Sequence, residues 1–342
     1  MWGIFEKFLA ELSGPLPLAA GVRPCRLCEN SACMSKIAFL FPGQGSQAPG
    51  MGKSLAESYE CARAVFAEAD AALGLPISRL CFEGPAEELA LTENTQPAIL
   101  TVSMAAFAVL REKGVRPDYV AGHSLGEYSA LVAAGALAFP DALSLVRKRG
   151  RYMQEAVPVG VGAMAAILKL PAGKLGEVLE RAAQGEVLSA ANLNSPDQVV
   201  LAGHAGAITR AVDLAKAAGA RKAVRLPVSA PFHSPLLAPA QQRLKADLEA
   251  ATFRDPEAPL VNNWQAREVR TAAEARTGLY EQVPNPVRWE DSIHTLAASG
   301  VTKFIEVGPG SVLTGLLRSI DPSLKGYKFR QPDDWSEIEA GL

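Results

Sequence analysis

Five consecutive residues, Gly122-His123-Ser124-Leu125-Gly126, constrain this chain more than any others. They spell G-x-S-x-G directly after the short apolar run 119–121 and directly before a helix-like stretch at 127–136. A strand, a sharp turn and a helix in that order make a nucleophile elbow, with glycines around the serine because no Cβ fits beside the strained turn. The turn exposes the Ser124 hydroxyl at a helix N-terminus, where backbone N–H groups and the helix dipole favour a developing anion. The competing reading is a structural Gly-rich turn; the strand–turn–helix context favours a nucleophile.

The rest of the chain suits an α/β fold. At 342 residues and 49% hydrophobic, it is long enough for one large domain plus a smaller one. Short apolar runs alternate with helical patterns through an alanine-rich centre. A formal net charge of -2 argues against a nucleic-acid partner, which usually demands a basic footprint. No apolar run reaches about eighteen residues, so no membrane span is expected. The cysteine count of 5 is odd and no secretory signal is evident, which points to a reducing, cytoplasmic setting.

Residues 1–33 differ in character from the rest of the chain. Cys25-x-x-Cys28 has no second CxxC or paired histidines to complete a metal site, so no metal is expected. Trp2, Ile4, Phe5, Phe8, Leu9 and Leu12 could form one apolar helix face for a membrane surface or a partner. Met34 directly precedes the first strand pattern, so the preferred reading is a disordered or nonessential extension from an upstream start codon.

From there the spacing predicts a strand at 37–41, a Gly-rich loop at 42–47 and a helix at 55–73. Helices follow at 85–91 and 97–113, then the elbow strand, then helices at 125–136 and 140–157. Residues 164–228 predict strand, helix, two strands, helix and strand, the β-α-β-β-α-β order of a ferredoxin-like unit. The expected organisation is a large domain over 34–159 and 230–342, with a ferredoxin-like subdomain inserted at 160–229. A helix ending near 250, a strand at 303–307 and a helix opening at Ser311, as N-cap, complete the pattern.

Ser124 needs a base. Of 4 histidines, His123 diverges from Ser124 on the elbow, and His294 sits in a helical pattern. His204 closes a subdomain strand, whereas His233 lies in a rigid, apolar loop where subdomain and main domain rejoin, the kind of junction where clefts form. His233 is therefore favoured, with His204 left open. An acid between Ser124 and His233 would have to be Asp197 or Asp213, neither compelling; a backbone or amide carbonyl could orient the histidine instead. Gln44, in the loop after the first strand, stands where a second oxyanion N–H belongs, with Leu125 supplying the first. Arg147, Lys148, Arg149 and Arg151 cluster on one helix; most belong to a solvated face, and one could turn inward to pair with a carboxylate.

Taken together, these motifs resemble the malonyl-CoA:acyl-carrier-protein transacylase family of type II fatty-acid synthesis. The resemblance runs through Phe41-Pro42-Gly43-Gln44-Gly45-Ser46-Gln47, Thr95-Gln96-Pro97-Ala98 and Gly122-His123-Ser124-Leu125-Gly126-Glu127-Tyr128. It continues through Arg149-Gly150, Asn194-Ser195-Pro196, Gly203-His204, Phe232-His233-Ser234, Asn285-Pro286-Val287-Arg288-Trp289 and Glu306-Val307-Gly308-Pro309-Gly310. It covers about residues 34–320 and implies an α/β-hydrolase-like large domain carrying the ferredoxin-like insert.

The resemblance implies that Ser124 is acylated and His233 is its base. Arg149 would hold the malonyl carboxylate, and the N–H groups of Gln44 and Leu125 would form the oxyanion hole. It implies that the Gln282 backbone carbonyl holds the histidine, that His123 supports the substrate, and that Phe232 marks malonyl selectivity where methylmalonyl-selective relatives carry serine. The implied reaction is ping-pong transfer of malonyl from malonyl-CoA to the phosphopantetheine thiol of acyl carrier protein. No cofactor beyond the substrates is implied, and the chain is expected to act as a monomer. The carrier would be acidic, with Arg221, Lys222 and Arg225 as candidate contacts. The alternatives are a discrete polyketide-synthase acyltransferase, a serine hydrolase or thioesterase, and a non-enzymatic acyl-binding protein.

Overall fold

The computed structural model describes residues 35–228 and 230–342; the leading extension, with Cys25, Cys28 and Cys33, lies outside them. The chain opens with β1 (Lys36–Phe41) and the helices α1 (Lys53–Ser58), α2 (Glu60–Leu73), α3 (Ile77–Glu83), α4 (Ala86–Leu89) and α5 (Thr92–Glu112). Then come β2 (Tyr119–Gly122), α6 (Gly126–Ala133) and α7 (Phe139–Glu155). The next stretch is β3 (Gly162–Leu168), α8 (Lys174–Ala183), β4 (Leu188–Ser195), β5 (Gln198–His204), α9 (Ala205–Ala217) and β6 (Lys222–Arg225). The chain closes with α10 (Ala238–Ala250), β7 (Leu260–Val261), β8 (Glu268–Val269), α11 (Ala272–Gln282), α12 (Trp289–Ala298), β9 (Val301–Val307), α13 (Val312–Ile320), β10 (Lys325–Phe329) and α14 (Trp335–Gly341).

The strands form two sheets. The larger has the order β10-β9-β1-β2-β7-β8, parallel except for β8, which runs antiparallel to β7. Its central strands are covered on both faces, which is why β2 is buried along its whole length and β1 over its last four residues. On one face Phe39 and Phe41 meet Phe107 of α5 edge-on, with ring centroids 6.1 and 6.4 Å apart. On the other, Ala38, Leu40 and Ala121 pack with Trp289, Ile293 and Phe304.

The smaller sheet, β4-β5-β3-β6, is antiparallel throughout. Its strand order and its two helices, α8 and α9, give the ferredoxin-like arrangement expected from the β-α-β-β-α-β pattern. Strand β4 of this sheet is tied to the loop between α11 and α12: Leu193 N–H donates to the Val287 carbonyl and Val287 N–H to that of Ala191, both at 2.9 Å.

Several local expectations are corrected. The single helix at 55–73 is two, broken at Tyr59, whose extended backbone (φ -129°, ψ 129°) ends α1 and starts α2. The helix expected from Pro97 begins at Thr92, with Pro97 inside its second turn, where the ring removes only one hydrogen-bond donor. Ser311 occupies the N-cap position of α13, but its side chain makes no capping bond. The buried Glu306 carboxylate takes that role, accepting from the N–H groups of Leu313 and Thr314 at 3.1 and 2.8 Å. Segment 251–300 holds β7 and β8, two residues each and too short to show a period, and the helices α11 and α12, of which the sequence reading noted only the helical pattern around His294.

Candidate active site

The elbow forms where β2 meets α6, beside the C-terminal end of β1, at the carboxyl end of the parallel strands where ligands collect. Ser124 has φ 52°, a left-handed conformation that costs a non-glycine residue about 1–3 kcal/mol. The close approaches explain the flanking glycines. A Cβ on Gly122 would lie 1.9 Å from the Gly126 carbonyl, and one on Gly126 would lie 2.0 Å from the Phe41 carbonyl. One on Gly43 would meet the His123 carbonyl at 2.4 Å, so the loop carrying Gln44 lies against the elbow.

Polar side chains hold the strained turn. Asn263, fully buried after β7, accepts the Ser124 N–H through Oδ1 and donates Nδ2 to the Gly122 carbonyl, both at 2.7 Å. Gln282 Nε2 donates to the Ser124 carbonyl at 3.0 Å. The Leu125 and Gln44 backbone N–H groups donate to no described group, which leaves both available for an oxyanion.

His233 is the histidine that reaches Ser124, with Nε2 2.7 Å from Oγ. Its Nδ1 lies 3.0 Å from the Gln282 carbonyl. A carbonyl only accepts, so Nδ1 carries the proton and Nε2 presents its lone pair to the hydroxyl. That carbonyl ends α11, where the helix dipole is negative and favours a developing imidazolium. Asp197 instead pairs with Lys169 at 3.6 Å, and Asp213 is exposed. His204 accepts the Val187 N–H through Nδ1 at 2.9 Å, and His294 lies 3.9 Å from Glu290. Burial, then the Arg149 cation, pushes His233 down to about 3, so it is neutral at neutral pH.

Arg149 is the cation of its cluster that turns inward, only 2% exposed. Its neighbour Gly150 makes this possible: a Cβ there would strike the Thr92 carbonyl at 2.6 Å, so α7 touches the start of α5. The guanidinium donates to Gln96 Oε1 at 2.7 Å, Gln282 Oε1 at 2.8 Å and Ser124 Oγ at 3.1 Å. All three acceptors are neutral, so the charge faces the cleft without a direct carboxylate partner. Lys148 pairs outward with Asp247 at 2.6 Å, and the Arg151 guanidinium lies 5.6 Å from the centre of the Tyr152 ring.

His123 points across the cleft, donating Nε2–H to Asn194 Oδ1 on β4 at 2.8 Å; burial lowers its pKa. These groups open onto a cavity of about 480 Å³, which Phe232 and Met164 also line, within the range of small-ligand sites. Two grooves adjoin it. One of about 590 Å³ carries Arg221 and Lys222 and shares Val312 and Leu316 with the cavity. The other, of about 400 Å³, carries Arg225 and shares Gln44 and Phe232. Among the described residues, no group of three or more His, Cys, Asp or Glu could hold a metal ion, and no helix is long and apolar enough to cross a membrane.

Sequence reasoning missed three residues here. Gln96 and Glu127 lie inside recognised motifs, yet nothing in those motifs distinguishes a buried polar side chain from a solvated one. Asn263 carried no signal at all.

Known proteins share both this sequence pattern and this fold. The acyl transferase domain family matches residues 38–323. A malonyl CoA-acyl carrier protein transacylase of Bacillus subtilis is 51% identical over 301 residues, covering 88% of this chain and 95% of that protein. The crystal structure of an acyl carrier protein S-malonyltransferase from Vibrio cholerae superposes with a TM-score of 0.87 at 44% identity, covering 89% of this chain and 100% of that one. A malonyl-transacylase solved in complex with a type II PKS acyl-carrier protein superposes with a TM-score of 0.88 at 43% identity, covering 90% of this chain and 100% of that one.

Proposed function

Given that this chain belongs to the malonyl CoA-acyl carrier protein transacylases of the acyl transferase domain family, we propose that it moves malonyl from malonyl-CoA to the phosphopantetheine thiol of acyl carrier protein through an ester on Ser124. The observation that carries this reading is a single hydroxyl, Ser124 Oγ, held 2.7 Å from a neutral histidine and 3.1 Å from a buried arginine.

Ser124 Oγ attacks the thioester carbonyl as its proton passes to His233 Nε2. The tetrahedral oxyanion sits between the N–H groups of Gln44 and Leu125. The C–S bond breaks, and coenzyme A leaves with the proton returned by His233. In the second half, the carrier's thiol gives its proton to His233 and attacks the ester, and Ser124 regains its hydroxyl. Every atom comes from the chain and its two substrates, so no further cofactor is required.

Arg149 selects the acyl group, because a carboxylate brought into this cleft without a partner is costly. It also tunes the base. The cation that depresses His233 is the one the malonyl carboxylate would neutralise, so the correct substrate strengthens the base that activates its own nucleophile. Phe232 borders the position of the acyl group and favours malonyl over bulkier relatives, by about 1–3 kcal/mol for one methyl. His123, tied to Asn194, forms the cleft wall facing the substrate.

We treat 160–229 as a subdomain inserted into a domain of 34–159 and 230–342. The exposed Arg221, Lys222 and Arg225 are its candidate contacts for an acidic carrier. The expected setting is a cytoplasmic monomer. The 43% identical relative bound to a polyketide carrier favours keeping a second partner class, with the same chemistry.

Intact-protein mass after mixing with malonyl-CoA tests the proposal. A malonyl adduct is expected on the wild type and none on Ser124→Ala, and the adduct should pass to an added phosphopantetheinylated carrier. Loss of the adduct to water at the same rate without carrier would instead identify a hydrolase. Comparing fatty-acid and polyketide carriers by transfer rate assigns the partner.

A further inference from the structure

Glu127 is fully buried on the first turn of α6, three residues after the nucleophile. It makes no direct ion pair with Arg149. Its Oε2 accepts from the Asn263 N–H and from Gln282 Nε2, both at 2.9 Å, while Oε1 has no hydrogen-bond partner among the described residues. The Gln282 amide therefore lies between a carboxylate and a guanidinium, since its Oε1 accepts from Arg149 at 2.8 Å. A carboxylate only accepts and a guanidinium only donates. Each charge dictates one end of an amide whose two ends are otherwise almost the same shape. Turned over, the amide would set NH₂ against the guanidinium and oxygen against the carboxylate.

This arrangement gives Arg149 a buried countercharge without committing any of its N–H groups to it. Bonds between two charged partners are stronger than those to neutral oxygens, so a direct carboxylate partner would compete with a substrate carboxylate for the guanidinium. The relay through Gln282 avoids that competition.

We propose that Glu127 is a positioning residue for acyl selectivity: its carboxylate locks the Gln282 amide, and the locked amide keeps Arg149 aimed into the cleft and free to pair with a carboxylated acyl group. The proposal rests on the acyl-transfer reading above.

Burial pushes Glu127 up to about 7, against the opposing pull of the Asn263 N–H, the Gln282 amide and the Arg149 cation. The titratable or charged groups that face it are Arg149 from α7 and its own neighbour Tyr128, which burial keeps protonated. The segment after β7 and the end of α11 contribute only the neutral Asn263 and Gln282. Glu127 thus changes charge near neutral pH, where His233 does not.

The test is Glu127→Gln in the full chain. It preserves shape, removes the charge, and supplies a side chain that tolerates either orientation of Gln282. Initial acylation rates are read with malonyl-CoA and with acetyl-CoA. Acetyl transfer reports the Ser124–His233 pair, the oxyanion site and the bond from Arg149 to Ser124, so the ratio of the two isolates the pairing of Arg149 with the acyl carboxylate. The malonyl-to-acetyl ratio is expected to fall by about tenfold or more, the scale of one hydrogen bond to a charged group. An unchanged ratio overturns the proposal. If the variant does not fold, the wild type decides: its ratio should fall as the pH is lowered from about 8 to about 6, and a flat ratio overturns the proposal. A wild type that accepts neither acyl group would sink the acyl-transfer reading itself.

Discussion

Replacing Arg149 by alanine should separate malonyl from acetyl transfer. The side chain is 2% exposed and donates at 2.7, 2.8 and 3.1 Å to Gln96, Gln282 and Ser124. With acetyl-CoA, the variant loses only the bond to the nucleophile and whatever precision the network lends it, about 1–2 kcal/mol. With malonyl-CoA, it also leaves a carboxylate unpaired in a closed cleft, which costs about 3–5 kcal/mol when one partner of a buried pair is removed. At about 1.4 kcal/mol per decade, the malonyl-to-acetyl ratio should fall by about a hundredfold or more. Rapid-quench measurement of the acyl-enzyme mass with each thioester gives both rates directly. A thermal melt guards against simple unfolding, since Gln96, Gln282 and Glu127 lose a partner charge together. Equal loss with both substrates would refute the carboxylate role, leaving Arg149 as a support for Ser124 only.

Asn263→Ala strips two buried partners from the elbow, the Ser124 N–H and the Gly122 carbonyl. At about 1–3 kcal/mol each it should destabilise the fold by about 2–6 kcal/mol, and a urea midpoint close to wild type would show that the turn is held by other means. Gly126→Ala should cost more than about 3 kcal/mol, because its Cβ would sit 2.0 Å from the Phe41 carbonyl; a normal urea midpoint would contradict that close approach. Stability against pH carries a signature of its own. His233 is depressed from 6.5 to about 3, so the unfolded chain holds the extra proton in that window and stability is lost as pH falls through it. Glu127 is raised from 4.5 to about 7, so the folded chain holds the extra proton in its window and stability is lost as pH rises through it. The two slopes oppose one another where the windows overlap. Glu127→Gln leaves only the histidine slope, so relative to wild type it should weaken by about 1.4 kcal/mol per pH unit on acidification there; parallel urea midpoints against pH would refute this.

The elbow was legible because all its determinants are neighbours. Gly122, Ser124 and Gly126 lie within five residues, and the strand and helix patterns that frame them are local. The ferredoxin-like unit was legible for the same reason: its strands and helices each show a period of their own, and its turns are marked by glycine and Pro196. Boundaries slipped where one residue serves two elements, as Tyr59 does between α1 and α2.

On the residues alone the partner of Ser124 stood between His233 and His204, because distance to Ser124 is not a property of sequence. That distance exists only once the loop before α10 folds over β2. The same holds for what orients His233. With no acid in a convincing place, the residues alone left open which carbonyl would serve and only the family resemblance named that of Gln282; it lies at the end of α11, across 49 residues of chain. Asn263 reaches Ser124 across 139 residues, and Gln282 reaches its carbonyl across 158.

By itself, then, the sequence determined an α/β chain with a serine on a strand–turn–helix elbow, a Gly-rich loop and a cation cluster on one helix, since each follows from spacing over a few residues. The choice of Arg149, His233 and Gln282 came from the family resemblance; only the tertiary structure set the distances that bring the guanidinium and the imidazole to Ser124 and join Glu127, Gln282 and Asn263 in one buried network beneath them. A polar side chain in a sequence is solvated until packing removes its water, and its role is then set by whichever donors and acceptors the fold places against it.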